Sequence, residues 1–133
     1  QRLKSIRETL ATFRCSLFLN VRTDPFLMNV PHAREETLLR AQRYATHGAD
    51  GLFVPCVTSP EDIAAIANHT SLPLNVMAMP GLPDFPTIGE LGVRRISMGN
   101  VVHSVIQNGL YSLLLTVHQQ QSFAGVFTDE NHR

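Results

Sequence analysis

The chain has 133 residues, of which 44% are hydrophobic and 17% charged, and 11 basic side chains balance 11 acidic ones. These proportions are ordinary for one globular domain with a hydrophobic core. A zero formal net charge argues against a nucleic-acid partner, and no apolar run is long enough to cross a bilayer. Cys15 and Cys56 have no CxxC spacing, so we expect free thiols and a cytoplasmic protein.

The hydrophobic pattern alternates between helices and strands along the chain. A first helix is predicted over 2–13, where Leu3, Ile6 and Leu10 share one face. Ser59 and Pro60 are typical of a helix start, as N-cap and first residue. Helices are therefore predicted over 2–13, about 32–47, 60–69, about 87–91 and 100–121. Strands are predicted over about 16–22, 51–55, 72–78 and 94–98, and residues 122–133 are expected to form a loose tail.

This order predicts an α/β fold with a parallel sheet and right-handed crossovers. An open doubly wound sheet and part of a closed barrel both fit the pattern. A (β/α)8 TIM barrel needs eight such units and about 250 residues, so four units after one helix would make half of it. Residues 1–133 are then one partial barrel domain. Because Gln1 is a poor helix cap, we expect the chain to be truncated inside or near a helix.

Polar side chains recur on one face of the predicted strands. Side chains alternate between the two faces of a strand, so the inward positions include Asn20, Arg22, Asn75 and Ser97. In a barrel these side chains converge near the carboxyl ends of the strands, where active sites form. An inward guanidinium needs an anionic partner, either the nearby Asp24 or the carboxylate of a ligand. The sequence leaves both partners open.

Three other features have a plain structural interpretation. Cys56 follows a strand, but no histidine is placed in sequence to activate it, so an inert thiol is favoured over a nucleophile. The six histidines show no spacing typical of metal ligands. The turn at 97–100 could bind an anion at the start of the last helix, but a turn capped by Asn100 is favoured.

Four segments resemble consecutive strands of the isocitrate lyase/phosphoenolpyruvate mutase superfamily. FLNVRTDPFL at 18–27 resembles the N-A-R-T-D strand of that superfamily. GADGLFVPCV at 48–57, LPLNVMAMPGLP at 72–83 and ELGVRRISMGN at 90–100 resemble the next three, in the same order and at similar spacing. Pro55 and Cys56 stand where the lyases often carry a glutamate, which is closer to the phosphoenolpyruvate phosphonomutase-like branch.

The resemblance implies the C-terminal half of a TIM barrel whose reactions make or break C–C or P–C bonds through enolate-like species held on Mg²⁺. It implies that Arg22 binds the substrate carboxylate or phosphonate and that the Asn75 amide lies at the substrate, where it can donate to an oxyanion. These two are the expected catalytic residues, and Asn20 and Ser97 join them as expected substrate-binding residues. The Mg²⁺ ligands and the gating loop of the family lie on earlier strands. We therefore expect Mg²⁺ in the full-length parent and no metal or other cofactor in this chain alone.

The expected function is that of a fragment of a Mg²⁺-dependent lyase or phosphonomutase acting on small 2-oxo or carboxylate substrates. The parent would be an enzyme and the chain alone inactive. The alternative is a non-catalytic half-barrel that binds small anions or another protein. Open sheet edges and an inner face with Phe18, Phe53 and Met77 predict a homo-oligomer, and the resemblance implies a tetramer with exchanged C-terminal helices.

Overall fold

The computed structural model describes residues 2–127, so Gln1 and the end of the predicted tail, 128–133, lie outside the described residues. The chain divides into two compact units, Gln1–Ser97 and Met98–Arg133. Within the described part, no helix combines the length and hydrophobicity of a membrane span. In chain order the elements are α1 (Arg2–Thr12), β1 (Asn20–Arg22), α2 (Ala33–Thr46), β2 (Gly51–Val54), α3 (Pro60–His69), β3 (Leu74–Met77), α4 (Phe85–Glu90), β4 (Val93–Ser97), α5 (Val101–Gln120) and a short 3-10 helix, Ala124–Val126.

The four strands form one parallel sheet in the order β1-β2-β3-β4, each beside the next along the chain. A parallel neighbour requires a crossover, and α2, α3 and α4 supply the three crossovers. The predicted α/β class with four parallel strands is confirmed.

The hydrophobic core lies between the sheet and its crossover helices. Alternate residues of β2 and β3 turn toward the helices, and Leu52, Val54, Leu74 and Val76 are at most 1% exposed. The helices complete the core from the other side, with Ala41 on α2, Ile63 and Ile66 on α3, and Ile88 on α4. Burial on one side of the sheet leaves the other side, here called the inner face, to the remaining strand side chains.

Local capping explains where two crossover helices begin. The Ser59 hydroxyl accepts from the Asp62 amide at 3.4 Å and Pro60 is the first residue of α3, as the sequence predicts. The fourth helix begins at Phe85, two residues before its predicted start, because the Asp84 carboxylate accepts from the Thr87 amide at 2.9 Å. That bond also lowers the pKa of Asp84 below its usual range.

The first strand is shorter than the sequence predicts. The pattern predicted a strand over 16–22, but β1 comprises Asn20–Arg22. Its partner β2 starts only at Gly51, which lies opposite Asn20, so the residues before Leu19 have no neighbouring strand. The Leu19 carbonyl accepts from the amides of Asp50 and Gly51 at 3.0 and 3.2 Å and closes this end of the ladder.

The fourth strand contains a bulge at Arg94. Val93 lies opposite Leu74, but Arg95 lies opposite the next residue, Asn75. Val93 is therefore buried in the core, and Ile96, three residues later, packs against that core as well. A bulge inserts one residue and reverses the alternation of side chains. Strict alternation from Val93 would turn Arg95 toward the core. Because the pairing skips Arg94, Arg95 lies on the inner face instead.

Arg7 fastens α1 to the start of the sheet. Its guanidinium pairs with the Asp50 carboxylate, and its Nε donates to the Gly48 carbonyl at 2.6 Å. Asp50 Oδ2 also accepts from the Leu19 amide at 2.7 Å. Gly48 has φ +92°, and a Cβ there would approach the Arg7 side chain to 2.9 Å. The Leu19 N–H and the Arg7 guanidinium both hold the pKa of Asp50 below its usual range.

The second unit consists mainly of α5, a helix of 20 residues without a buried side chain. Asn100 occupies the N-cap position, as the sequence predicts, but its side chain makes no capping hydrogen bond. The first turn is closed instead by backbone carbonyls, because Asn100 O accepts from the Ser104 amide at 2.8 Å. Many apolar side chains of this helix are exposed: Val101, Val102, Val105, Ile106, Leu110, Tyr111, Leu113, Leu114 and Leu115.

Asp50→Asn should lower the free energy of unfolding at pH 7 by about 1 kcal/mol, because the charged partner of Arg7 is lost in a partly solvated pair. The folded-state pKa of Asp50 is depressed, so its contribution is present above the unfolded-state pKa and disappears as the pH falls below about 4. Urea unfolding of both proteins at pH 7 and pH 3 checks this. A stability difference that persisted undiminished at pH 3 would contradict the role of the carboxylate charge.

Candidate functional site

One row of side chains crosses the inner face of the sheet. Arg22 lies opposite Phe53, Phe53 opposite Asn75, and Asn75 opposite Arg95. Neighbouring strands are about 4.8 Å apart, so the backbones of Arg22 and Asn75 are separated by roughly 10 Å. Ser97 lies two residues beyond Arg95, opposite Met77. The row thus places a guanidinium and an amide on the same face with one aromatic ring between them.

Asn75 and Ser97 form a hydrogen-bonded pair. The Asn75 amide nitrogen donates to Ser97 Oγ at 3.0 Å, and Ser97 Oγ is 3.2 Å from Asn75 Oδ1, to which it can donate. Asn75 is only 2% exposed. A buried amide needs partners for its polar atoms, and Ser97 supplies one. Ser97 therefore holds the orientation of Asn75.

Arg22 is paired with Asp24. Its Nε donates to Asp24 Oδ1 at 2.6 Å, and the two side chains are 53% and 42% exposed. Of the two partners that the sequence leaves open, the internal one is present. The contact uses the Nε edge of the guanidinium, and neither terminal nitrogen takes part in that hydrogen bond.

Asn20 lies nearer the start of the sheet than the other three predicted residues. It pairs with Gly51, and a Cβ on Gly51 would come within 3.0 Å of Asn20 Oδ1 and 2.8 Å of the Phe18 ring. The missing side chain of Gly51 therefore makes room for both neighbours. Asn75 is hydrogen-bonded to Ser97, and Arg22 lies in the same row as Asn75. Asn20 lies two residues before Arg22 on β1, outside that row.

Arg95 is a further inner-face cation that the set of four predicted residues left out. It is exposed, and among residues 2–127 it forms no ion pair. Alternation along the predicted fourth strand places it on the inner face with Ser97, two residues later, and the structure agrees. The inner face thus carries two arginines, at the two ends of one row.

Cys56 follows β2 and Pro55 at the carboxyl end of the sheet. It is half-buried and has φ +66°, a left-handed conformation that is uncommon outside glycine. Both cysteines are free thiols. The inert role of Cys56 stays a prediction.

The carboxylates of the described residues are dispersed over separate contacts. Asp24 pairs with Arg22 and Asp50 with Arg7, while Asp84 caps α4. Other acids pair along or between helices, Glu36 with Arg40 and both Glu61 and Asp62 with Arg34. Within residues 2–127 no three His, Cys, Asp or Glu side chains are grouped to hold a metal ion. The described donor set therefore does not fit a Mg²⁺ site, which requires clustered oxygen ligands.

Comparison with known sequences places this geometry in a family context. The sequence model of the phosphoenolpyruvate phosphomutase family matches residues 1–117. An uncharacterized protein of Mycobacterium tuberculosis (strain ATCC 25618 / H37Rv) is 38% identical over 96 residues, which are 72% of this chain and 36% of that protein. Oxaloacetate decarboxylase 1 of Pseudomonas putida (strain W619) is 30% identical over 109 residues, 80% of this chain and 36% of that protein.

Solved structures show the same fold. A proposed phosphonomutase from Burkholderia cenocepacia J2315 superposes with a TM-score of 0.79 at 34% identity, over 86% of this chain and 48% of that one. A proposed lyase/mutase from the same organism gives a TM-score of 0.82 at 22% identity, over 96% of this chain and 47% of that one. The chain therefore spans about a third to a half of the proteins it matches. Its four βα units have the fold of half a (β/α)8 barrel, as predicted.

Ser97→Ala should destabilise the fold by about 1–3 kcal/mol, because the buried Asn75 amide loses its partner. Ser71→Ala, at an exposed loop position, is the matched control and should change the free energy of unfolding by less than about 0.5 kcal/mol. Urea unfolding monitored by circular dichroism measures both. Equal, small effects for the two variants would show that Ser97 does not support Asn75.

Proposed function

Because the chain belongs to the phosphoenolpyruvate phosphomutase family, we propose that it supplies the carboxylate-binding part of a lyase or phosphonomutase site. The substrates are small 2-oxo acids, carboxylates or phosphonates. The observation that carries the proposal is the row on the inner face near the carboxyl ends of parallel strands. The row holds a buried, fixed amide and a guanidinium whose terminal nitrogens have no hydrogen-bond partner among residues 2–127. Ligand sites of parallel α/β folds form at that end.

Arg22 is the proposed anchor of the substrate carboxylate or phosphonate. The planar fork of a guanidinium can donate two parallel hydrogen bonds to such a group, which fixes its orientation as well as its position. Arg22 is half-exposed on the inner face, so an anion can reach the nitrogens that Asp24 leaves free.

Asn75 is the proposed donor to a developing oxyanion. An amide that is already fixed when charge develops stabilises that charge without further reorganisation. The Ser97 bond and the 2% exposure of Asn75 meet this requirement. Ser97 then acts mainly through Asn75, while Asn20, outside the row, would bind the far end of a longer substrate.

In the family's reactions a bound Mg²⁺ stabilises enolate-like charge. We propose that residues other than the described ones hold that ion, because the described acids are dispersed, and that the chain alone is catalytically inactive.

The family match over residues 1–117 does not favour the alternative of a non-catalytic module. The name of the Pseudomonas relative suggests oxaloacetate, a 2-oxo dicarboxylate, as the substrate type to test first. We also propose that residues 1–133 act as one partial barrel domain and that the protein works in the cytoplasm.

Oxalate, an enolate mimic, should raise the melting temperature of the chain, because a ligand that binds only the folded state stabilises it. Arg22→Lys should weaken oxalate binding about tenfold or more, since an ammonium cannot present the planar fork. Thermal unfolding at increasing oxalate concentration measures both effects.

Arg94→Lys, at the exposed bulge residue, is the matched control and should leave oxalate binding unchanged. An absent oxalate effect, or equal effects of the two substitutions, would refute the assignment of Arg22. A rise in melting temperature that required added Mg²⁺ would instead show that the chain holds a metal, against the proposal above.

We further propose that the chain forms homo-oligomers through α5. The exposed apolar side chains of this helix recur at helical spacing, as in Ile106, Leu110 and Leu114. Contiguous apolar surface of this kind marks association sites. A second copy of the same helix could cover it.

Leu110→Glu should shift the chain toward the monomer, because it places a charge in the centre of the apolar surface of α5. Gln107→Glu adds the same charge at an exposed polar position of the same helix and should leave the mass unchanged. Light scattering after gel filtration gives the masses. A monomeric wild-type chain at high concentration would overturn the proposed association.

A further inference from the structure

We infer that Asp24 is a positioning residue that orients the Arg22 guanidinium for a ligand carboxylate. The inference rests on the proposed function, in which Arg22 binds that carboxylate. It concerns a different residue and a different property, namely the direction in which the free guanidinium edge points.

The contact geometry divides the donors of Arg22 between two acceptors. Asp24 Oδ1 accepts from Nε at 2.6 Å. A guanidinium carries five N–H groups, one on Nε and four on the terminal nitrogens. Fixing the Nε edge stops rotation about the last side-chain bonds while the terminal edge stays available to an anion. The Asp24 carboxylate thereby fixes the guanidinium in the orientation that the carboxylate of the ligand requires.

Asp24 is itself held by a turn. Its carbonyl accepts from the Met28 amide at 2.9 Å, and the next residue, Pro25, is buried and accepts from the Val30 amide at 3.1 Å. The proline ring also fixes one backbone angle beside Asp24. An acceptor on such a rigid turn restrains its partner more than an acceptor on a mobile loop would.

The same ion pair contributes little to the stability of the fold. Its side chains are 53% and 42% exposed, and exposed pairs of this kind have small effects on unfolding. Loss of Asp24 should therefore change anion binding without a matching change in melting temperature. A purely structural role for Asp24 predicts the reverse.

The sign of the effect separates positioning from competition. If Asp24 mainly occupied Arg22 or repelled an incoming anion, its removal would tighten binding. The ligand carboxylate and Asp24 would lie on different edges of one solvated guanidinium, where the high dielectric constant of water keeps their repulsion small. Ordering a free arginine side chain on binding has a larger cost, equivalent to about three- to tenfold in affinity. Removal should therefore weaken binding.

The test is an oxalate titration of the 133-residue chain by calorimetry in 0.15 M salt, without added metal. Asp24→Ala should weaken oxalate binding about three- to tenfold. Asp24→Asn keeps a hydrogen-bond acceptor without the charge, so its oxalate affinity should lie between those of the wild type and Asp24→Ala. Asp24→Glu should recover part of the affinity that Asp24→Ala loses. Glu90→Gln removes one exposed negative charge elsewhere and should leave affinity unchanged.

Nitrogen-15 NMR gives a second readout, the exchange of the Arg22 Nε–H proton with water. This exchange should be slow in the wild type, and it should be faster in Asp24→Ala, where the hydrogen bond to Asp24 is lost.

The outcomes distinguish the inference from the function on which it rests. Unchanged or tighter oxalate binding by Asp24→Ala, with Arg22→Lys still impaired, would overturn the positioning role and leave the proposed function standing. A matching loss of melting temperature and affinity in Asp24→Ala would assign a structural role instead. A wild-type chain that bound no oxalate would overturn the proposed function and the inference together.

Discussion

The two-sided geometry of a β-strand determines where every functional side chain of this chain can lie. Burial of Leu52, Val54, Leu74 and Val76 against the crossover helices commits one side of the sheet to the core. Reversing any central strand would expose those side chains and bury polar ones, at a large cost in free energy. The inner face is therefore fixed by hydrophobic burial on the opposite face. The position of Arg22 and Asn75 follows from residues that never contact a ligand.

The sequence was sufficient for the order of elements, the parallel sheet and the face on which the polar residues lie, because these depend on periodicity. It was insufficient where pairing between distant segments decides the outcome. The first strand stops short because Gly51, 31 residues after Asn20, limits the ladder. The pair of Asn75 with Ser97 depends on a register that includes a skipped residue, Arg94. The start of α4 at Phe85 was indicated by Asp84, an acid shortly before a proline, but the Gly- and Pro-rich loop around it concealed that signal.

Tertiary contacts also decided between alternatives that the pattern left open. Arg22 could have had an internal or an external anionic partner, and in the folded chain it pairs with Asp24, two residues later. The choice between an open sheet and half a barrel depended on comparison, since both begin with the same parallel units. The chain corresponds to about half of each solved relative. The positions of Arg22 and Asn75 on β1 and β3 are compatible with a barrel in which substrate-binding groups and metal ligands lie on different strands.

The bulge in β4 gives this strand one position, Arg94, at which it can lose a residue and keep its pairing with β3. Loops between the helices and strands can gain or lose residues without altering which way a strand faces. A single-residue deletion at Arg94 would remove the skipped residue and leave Val93 opposite Leu74 and Arg95 opposite Asn75, so every later side chain would keep its face. Among natural variants of this chain, both substitutions and single deletions at Arg94 should therefore be tolerated, since the ladder with β3 does not use this position.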